Sequence, residues 1–417
     1  MSTRSFLFLQ GPISPFFSKI ADALVLEGHH AYGINLSIGD QMFWRGPNPT
    51  NYRGRLADWP AFVARFMDQR SVTDLVLLGE QREYHKTAIQ AAKLRNIRVT
   101  VTDFGYLRPD WITLEKNGMS AQSEFPRSPE TILDLAAKCP KADFSRKYQD
   151  SFWTMALWDM AYHFANYFLW WLFPHYQTHK HDNPILVYLG TGLRLFKSRW
   201  KNPAATALLQ SLNSASTPFF VFPLQMENDF QIRAYSPYPD LSTPMAEVIH
   251  SFAAHAPAES HLLVKVHPWD PGLKNWALLV HKLAQESGAA DRIHYVDGGS
   301  LDAMCQTTRG MVTINSTSGL SALKSDCPVI ALGEAIYDVP GLTYQGQLDE
   351  FWNQAERPNP TLRDAYINAM AATIQVRGVF YKQPGLNAGV TVAAQRLLEL
   401  KVNEVLPNRA AGCTAKP

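Results

Sequence analysis

Asp74-Leu75-Val76-Leu77-Leu78-Gly79, then the helix-like stretch Tyr84–Arg95, then Ile97-Arg98-Val99-Thr100-Val101 is the stretch that decides the fold class. Two short apolar runs bounded by turn residues, with an amphipathic segment between them, predict a strand, a crossover helix and a second, parallel strand. Outward from it the same alternation continues. Phe6-Leu7-Phe8-Leu9 predicts a strand, Ser18–Leu26 a helix, and His30–Leu36 a strand running to Gly39. In parallel sheets of this kind ligands sit beyond the carboxyl ends of the strands. The loops after Leu9, Leu36, Leu78 and Val101 are therefore the places where a site is expected.

The second half repeats the plan. Strands are expected at Pro184–Gly190, Pro218–Leu224, His261–Val266, Ile293–Val296, Gly310–Asn315 and Pro328–Leu332. The expected architecture is α/β, with two Rossmann-like domains facing across a cleft, an arrangement that many sugar-nucleotide glycosyltransferases share and that does not by itself assign a reaction. Residues 1–178 form the first and 184–405 the second, with a joint near 175–183 and a disordered tail at 406–417. With 417 residues the chain has room for two such cores.

Composition narrows the function. Lys plus Arg is 39 and Asp plus Glu is 37, so the net charge is +2 and no global field favours nucleic acid. Any anion site must be local. Charged residues make up 18% of the chain and aromatics 12%, an excess of ring surface that must be buried or set against something apolar. Part of it is concentrated in Phe152–Pro174, where Asp159, His163 and Asn166 argue against a membrane span. That segment reads as a helix packed between domains, or as one lying among lipid headgroups. The apolar run at Phe6–Leu9 is too short for a signal peptide. Cys139, Cys305, Cys327 and Cys413 show no metal or disulfide spacing and read as reduced cysteines of a cytoplasmic protein.

No P-loop, dinucleotide fingerprint, zincin or serine-hydrolase motif occurs, nor a D-x-D pair for a metal-held nucleotide. No cofactor or metal is expected, and protein donors are expected to neutralise any bound phosphate. Lys265-Val266-His267-Pro268 ends a strand with a cation, an imidazole and a chain-turning proline; His267 reads as a phosphate or leaving-group contact, or as a buried turn cap. Asn315-Ser316-Thr317-Ser318 offers hydroxyls and N–H groups before a helix. Asp103, with Gly105 and Arg108 close behind, supplies a nucleophile or base beside a cation, or a simple loop salt bridge. Gln10-Gly11-Pro12 lets backbone approach a ligand. Gln225, Asp229 and Gln231, following a strongly apolar strand, suit sugar or base hydrogen bonding.

Leu9-Gln10-Gly11-Pro12 with Phe16-Phe17, Gly105–Glu115 (Gly-Tyr-Leu-Arg-Pro-Asp-Trp-Ile-Thr-Leu-Glu), Pro223-Leu224-Gln225 with Asp229-Gln231-Ile232, His267-Pro268 and Asn315-Ser316-Thr317-Ser318-Gly319 together resemble the capsule polysaccharide biosynthesis and export family of Gram-negative bacteria. The resemblance spans about residues 6–335. It implies a glycosyltransferase-B-like fold and a retaining β-Kdo transferase that takes Kdo from CMP-Kdo to phosphatidylglycerol and so starts the capsule linker at the cytoplasmic face of the inner membrane. It implies a CMP-sugar donor, a lipid acceptor, peripheral membrane contact, and a second capsule Kdo transferase and the ABC exporter as partners. Asp103 would be the nucleophile, with His267 and the Ser316–Ser318 loop on the CMP phosphate. This chain departs from the family at Phe104, where relatives commonly carry a second acidic residue before the glycine. A non-catalytic capsule assembly or export protein, or a transferase of another CMP-linked acidic sugar, are the competing readings.

Overall fold

The computed structural model describes residues 2–178, 183–227 and 230–407. Its strands are β1 (Ser5–Leu9), β2 (His30–Asn35), β3 (Pro49–Asn51), β4 (Asp74–Leu78), β5 (Arg98–Phe104), β6 (Trp111–Lys116), β7 (Phe219–Pro223), β8 (His261–Lys265), β9 (Ile293–Val296), β10 (Gly310–Thr313), β11 (Val329–Ala331) and β12 (Gln375–Arg377). They form a seven-stranded sheet in the order β12-β6-β5-β4-β1-β2-β3 and a five-stranded sheet in the order β11-β10-β7-β8-β9. Every pairing in the second sheet is parallel. In the first, β6 alone is reversed, so that its pairings with β5 and β12 are antiparallel and all the others parallel.

The apolar runs are strands because both faces of each sheet are covered. Along β1, Phe6 and Phe8 enter one core while Leu7 and Leu9 enter the other. Along β7, Phe220 and Phe222 face one core, and Phe219 and Val221 the opposite one. The helix Glu83–Lys93 buries Tyr84, Ala88, Ile89 and Ala92 against the first sheet. At the amino ends of the strands, Asp74 accepts paired hydrogen bonds from Arg4 and Arg98. Burial would raise its pKa, but the two guanidiniums hold it below the usual carboxylate range. This charge cluster lies at the end of the sheet away from the ligand loops and pins the first strands together.

Two expectations need correction. Pro184–Gly190 is the start of a 31-residue helix, Pro184–Ser214, and not a strand. The apolar run imitates a buried strand, but Asn183 caps it by accepting from the Ile185 N–H at 2.9 Å, and Pro184 sits in the first turn where a missing N–H costs nothing. The spacing of Leu186, Leu189, Leu193 and Phe196 is helical. Gly190 lets this helix press on the second unit: a Cβ there would lie 2.3 Å from the Pro271 carbonyl oxygen. The second correction concerns the boundary at 405. β12 pairs with β6, and the helix Gly385–Leu398 packs Leu386, Val390 and Leu397 into the core around Phe16 and Ile20. The chain's last described elements therefore belong to the first unit. The tail expected at 406–417 lies, from 408 on, outside the described residues, as do 179–182 of the joint.

Candidate functional site

The carboxyl ends of the parallel strands in the two sheets face each other, and the loops leaving them meet. Gln81 Nε2 donates to Tyr235 Oη at 2.6 Å, and the Tyr235 hydroxyl donates to Glu80. The rings of Phe152 and Trp269 stack at 5.2 Å. Between the units lies a cleft of about 270 Å³, lined by Pro12, Gly79, Glu80, Arg82, Asp103, Phe104, Asp159, Tyr162, His163, Tyr235 and Tyr381, among others.

Asp103 is the penultimate residue of β5, so strand pairing fixes its backbone at the cleft's edge. One oxygen accepts its neighbour's backbone, the Phe104 N–H, at 2.7 Å. The other has no hydrogen bond or ion pair among the described residues. Burial raises its pKa, with the Phe104 N–H and the charges of Arg108 and Arg82 opposing. The salt bridge to Arg108 does not form; that guanidinium lies 5.5 Å over the Phe104 ring instead. Gly105 serves packing: a Cβ would come within 2.3 Å of the Trp111 carbonyl oxygen.

His267 caps its turn, one of the two roles expected of it. Nδ1 accepts from the Trp269 N–H at 3.1 Å, capping the turn, which places the ring proton on Nε2. Burial pushes its pKa down to about 4, with the Arg108 charge from the opposite unit adding to the effect. The ring is therefore a neutral donor near pH 7. Pro268 is exposed beside it. Ser316 Oγ accepts from the Ser318 N–H at 3.2 Å, and Thr317 precedes the short helix Ser318–Lys324. Ser318 Oγ is buried with no hydrogen-bond partner among the described residues.

Other expected binders are tied to the protein itself. Lys265 Nζ donates to the Gly298 carbonyl at 2.8 Å. Gln225 and Asn315 bond each other twice, and Asn315 Nδ2 reaches the Tyr235 carbonyl at 3.0 Å. This clamp positions Tyr235 at the cleft. Gln10 Nε2 donates to Asp40 at 3.1 Å and to Tyr176 at 3.2 Å, bracing the loop that carries Gly11 and Pro12 into the cleft. Asp229 lies outside the described residues, and of Gln231 only the backbone, in the helix Phe230–Tyr235, is described.

Sequence reasoning missed Glu80, Arg82, Asp159, Tyr162, His163 and Tyr235. For the first two a signal existed, because they follow Leu78, one of the strand ends marked as ligand positions. Glu80 is buried, and burial raises its pKa, opposed by the Tyr235 hydroxyl. The helix Phe152–Phe168 brings Asp159, Tyr162 and His163 to the cleft. Its opposite side and the segment after it stay open: Trp153 is 79%, Trp170 61% and Trp171 57% exposed. Leu186, Leu189, Leu193 and Phe196 of the long helix are exposed too. Among the described residues no helix is long and apolar enough to cross a membrane, and no group of three His, Cys, Asp or Glu side chains is placed to hold a metal ion.

Two α/β units that gather carboxylates, arginines and an imidazole where their strand ends meet define a two-unit α/β protein with a candidate cleft between its sheets, and family membership follows from sequence comparison. The chain belongs to the capsule polysaccharide biosynthesis protein family, which it matches over residues 73–381. It is 32% identical over 387 residues to the capsule polysaccharide export protein KpsS of Escherichia coli, covering 91% of this chain and 98% of that one. It is 30% identical over 404 residues to the capsule polysaccharide modification protein LipB of Neisseria meningitidis serogroup A, covering 92% and 93%. Among solved structures it resembles the β Kdo 2,7 transferase KpsC of Thermosulfurimonas dismutans at 14% identity and a TM-score of 0.47, over 95% of this chain and 100% of that one. A likeness of that size says nothing about the reaction.

Proposed function

We propose that this protein is a retaining glycosyltransferase that moves Kdo from CMP-Kdo to a phospholipid, phosphatidylglycerol, to start the capsule linker. The observation that carries the reading is Asp103: a carboxylate with one oxygen unengaged, at a strand's carboxyl end in the cleft, under the influence of two arginines. A retaining transfer uses such a group as nucleophile. The Asp103 oxygen bonds to the anomeric carbon as the bond to the CMP phosphate breaks, and CMP leaves with the electron pair. The acceptor hydroxyl then attacks the same carbon, freeing the Asp103 carboxylate and releasing its proton to solvent, with the original configuration restored.

His267 donates from Nε2 to the departing phosphate, and the Ser316–Ser318 loop holds its other oxygens. The open aromatic surface of Trp153, Trp170 and Trp171 contacts the inner leaflet from the cytoplasmic side, where amphipathic rings are favoured. That contact brings the lipid headgroup to the helix Phe152–Phe168, whose other side lines the cleft. The test is incubation of purified protein with CMP-Kdo and short-chain phosphatidylglycerol in the presence of a chelator. A Kdo-lipid with CMP released is expected. CMP binding without any product, with an active relative as positive control, would favour a non-catalytic role, the reading that Phe104 supports.

A further inference from the structure

Arg82 is a cation in the cleft that the protein does not pair. It follows β4 and stands at the N-cap of the helix Glu83–Lys93, half-buried, where the cleft is lined by Asp103 and Gly79 as well. Its guanidinium has five N–H donors, and its one hydrogen bond among the described residues is a long one, Nη1 to the Gln10 carbonyl at 3.5 Å. No carboxylate of the described residues comes within ion-pair distance of it.

The neighbouring acids do not fill the gap. Asp40 is satisfied by the Tyr162 hydroxyl at 2.8 Å, by Gln10 and by the backbone N–H groups of Leu36 and Ser37. Asp103 turns one oxygen to its own strand end. A half-buried guanidinium without an anion leaves its donors to an incoming ligand, and its planar fork matches a carboxylate better than any neutral group.

We infer that Arg82 holds the carboxylate of an acidic sugar, on the cleft wall it shares with Asp103. The inference rests on the transferase reading and assigns a residue to the carboxylate of its donor. In a 2-ulosonic acid such as Kdo the carboxylate is carried by the anomeric carbon itself. Seating it on Arg82 therefore brings the carbon that must be attacked to the wall where Asp103 stands. It also answers an electrostatic problem, because a carboxylate nucleophile and a substrate carboxylate repel each other unless a cation lies between them. A neutral sugar would leave Arg82 unsatisfied, so the same residue acts as a filter for acid sugars.

Binding of free Kdo, of Kdo C1-amide and of CMP to the full-length protein should be measured by calorimetry for wild type, Arg82→Gln and Arg82→Lys. Wild type should bind Kdo and not the amide. Arg82→Gln should weaken Kdo binding roughly 10- to 150-fold, the loss expected for a charge-assisted pair, while CMP binding stays within twofold and so reports an intact fold. Arg82→Lys should fall between. Equal Kdo binding by Arg82→Gln and wild type, or no Kdo binding by wild type, would overturn the inference. So would a variant whose KM rises for short-chain phosphatidylglycerol but not for CMP-Kdo, because the anion would then be the acceptor phosphate. Product formation by wild type is scored separately: Kdo binding that depends on Arg82 in a protein that makes no Kdo-lipid upholds the acid subsite and rejects the transfer.

Discussion

Replacing His267 by alanine should cost CMP-Kdo turnover without unfolding the protein, and the structure sets the size of the loss. The imidazole is neutral at pH 7, because burial and Arg108 push its pKa down to about 4. Its Nδ1 is engaged by the Trp269 N–H, so the contact at stake is one N–H donor on a charged phosphate. Such a bond is worth about 1.5–3 kcal/mol, which corresponds to a fall in kcat/KM of roughly 10- to 150-fold. The turn itself loses only a local cap on a half-exposed loop, so the melting temperature should move little. The assay is initial-rate CMP release at fixed short-chain phosphatidylglycerol over pH 5.5–8.5. Because the ring is already neutral across that range, wild type should show no inflection near pH 6.5 attributable to His267. An inflection there that vanishes in His267→Ala, or unchanged kcat/KM in the variant, would refute the argument.

Other consequences can be checked with less effort. Glu115 accepts from Tyr106 at 2.8 Å and also from Ser123, and burial pushes its pKa up to about 8. Its proton is therefore bound more tightly in the folded state, so the stability it contributes is full below about pH 4.5 and declines as the pH rises toward 8. Glu115→Gln should flatten the fall in melting temperature between pH 5 and 8.5; parallel slopes for the two proteins would count against it. Gly190→Ala places a Cβ against the Pro271 carbonyl and should destabilise by about 1–3 kcal/mol, read as a lower denaturation midpoint, with weaker CMP binding as the loop beside His267 shifts. Trp153→Ser with Trp171→Ser should abolish co-sedimentation with phosphatidylglycerol vesicles while sparing CMP binding; retained sedimentation would place the membrane contact elsewhere.

Much of the first unit was legible because each strand carries a full apolar run closed by a turn residue, as at Leu75–Gly79. The long helix Pro184–Ser214 was not, since its opening Pro-Ile-Leu-Val-Tyr-Leu has the composition of a buried strand and its helical spacing shows only over three further turns. β12 has three residues, too few for any periodicity, and its partner β6 stands more than 250 residues earlier. The candidate cleft was legible by position: strand ends at Leu9, Leu78, Asp103 and Lys265 all lead to the interface between the units. Residue roles were less so. Gln225 and Asn315 look like ligand donors in sequence yet spend their amides on each other, whereas Glu80 and Arg82, in a loop without a motif, face the cleft.

In the proposed reaction Asp103 forms a covalent bond to the sugar. Intact-mass spectrometry of the protein mixed with CMP-Kdo in the absence of lipid, followed by peptide mapping, tests it directly. A mass increase of one Kdo residue is expected, located on Asp103, discharged by adding short-chain phosphatidylglycerol and absent in Asp103→Asn. An adduct on another carboxylate, or Kdo-lipid formation by Asp103→Asn at the wild-type rate, would contradict it.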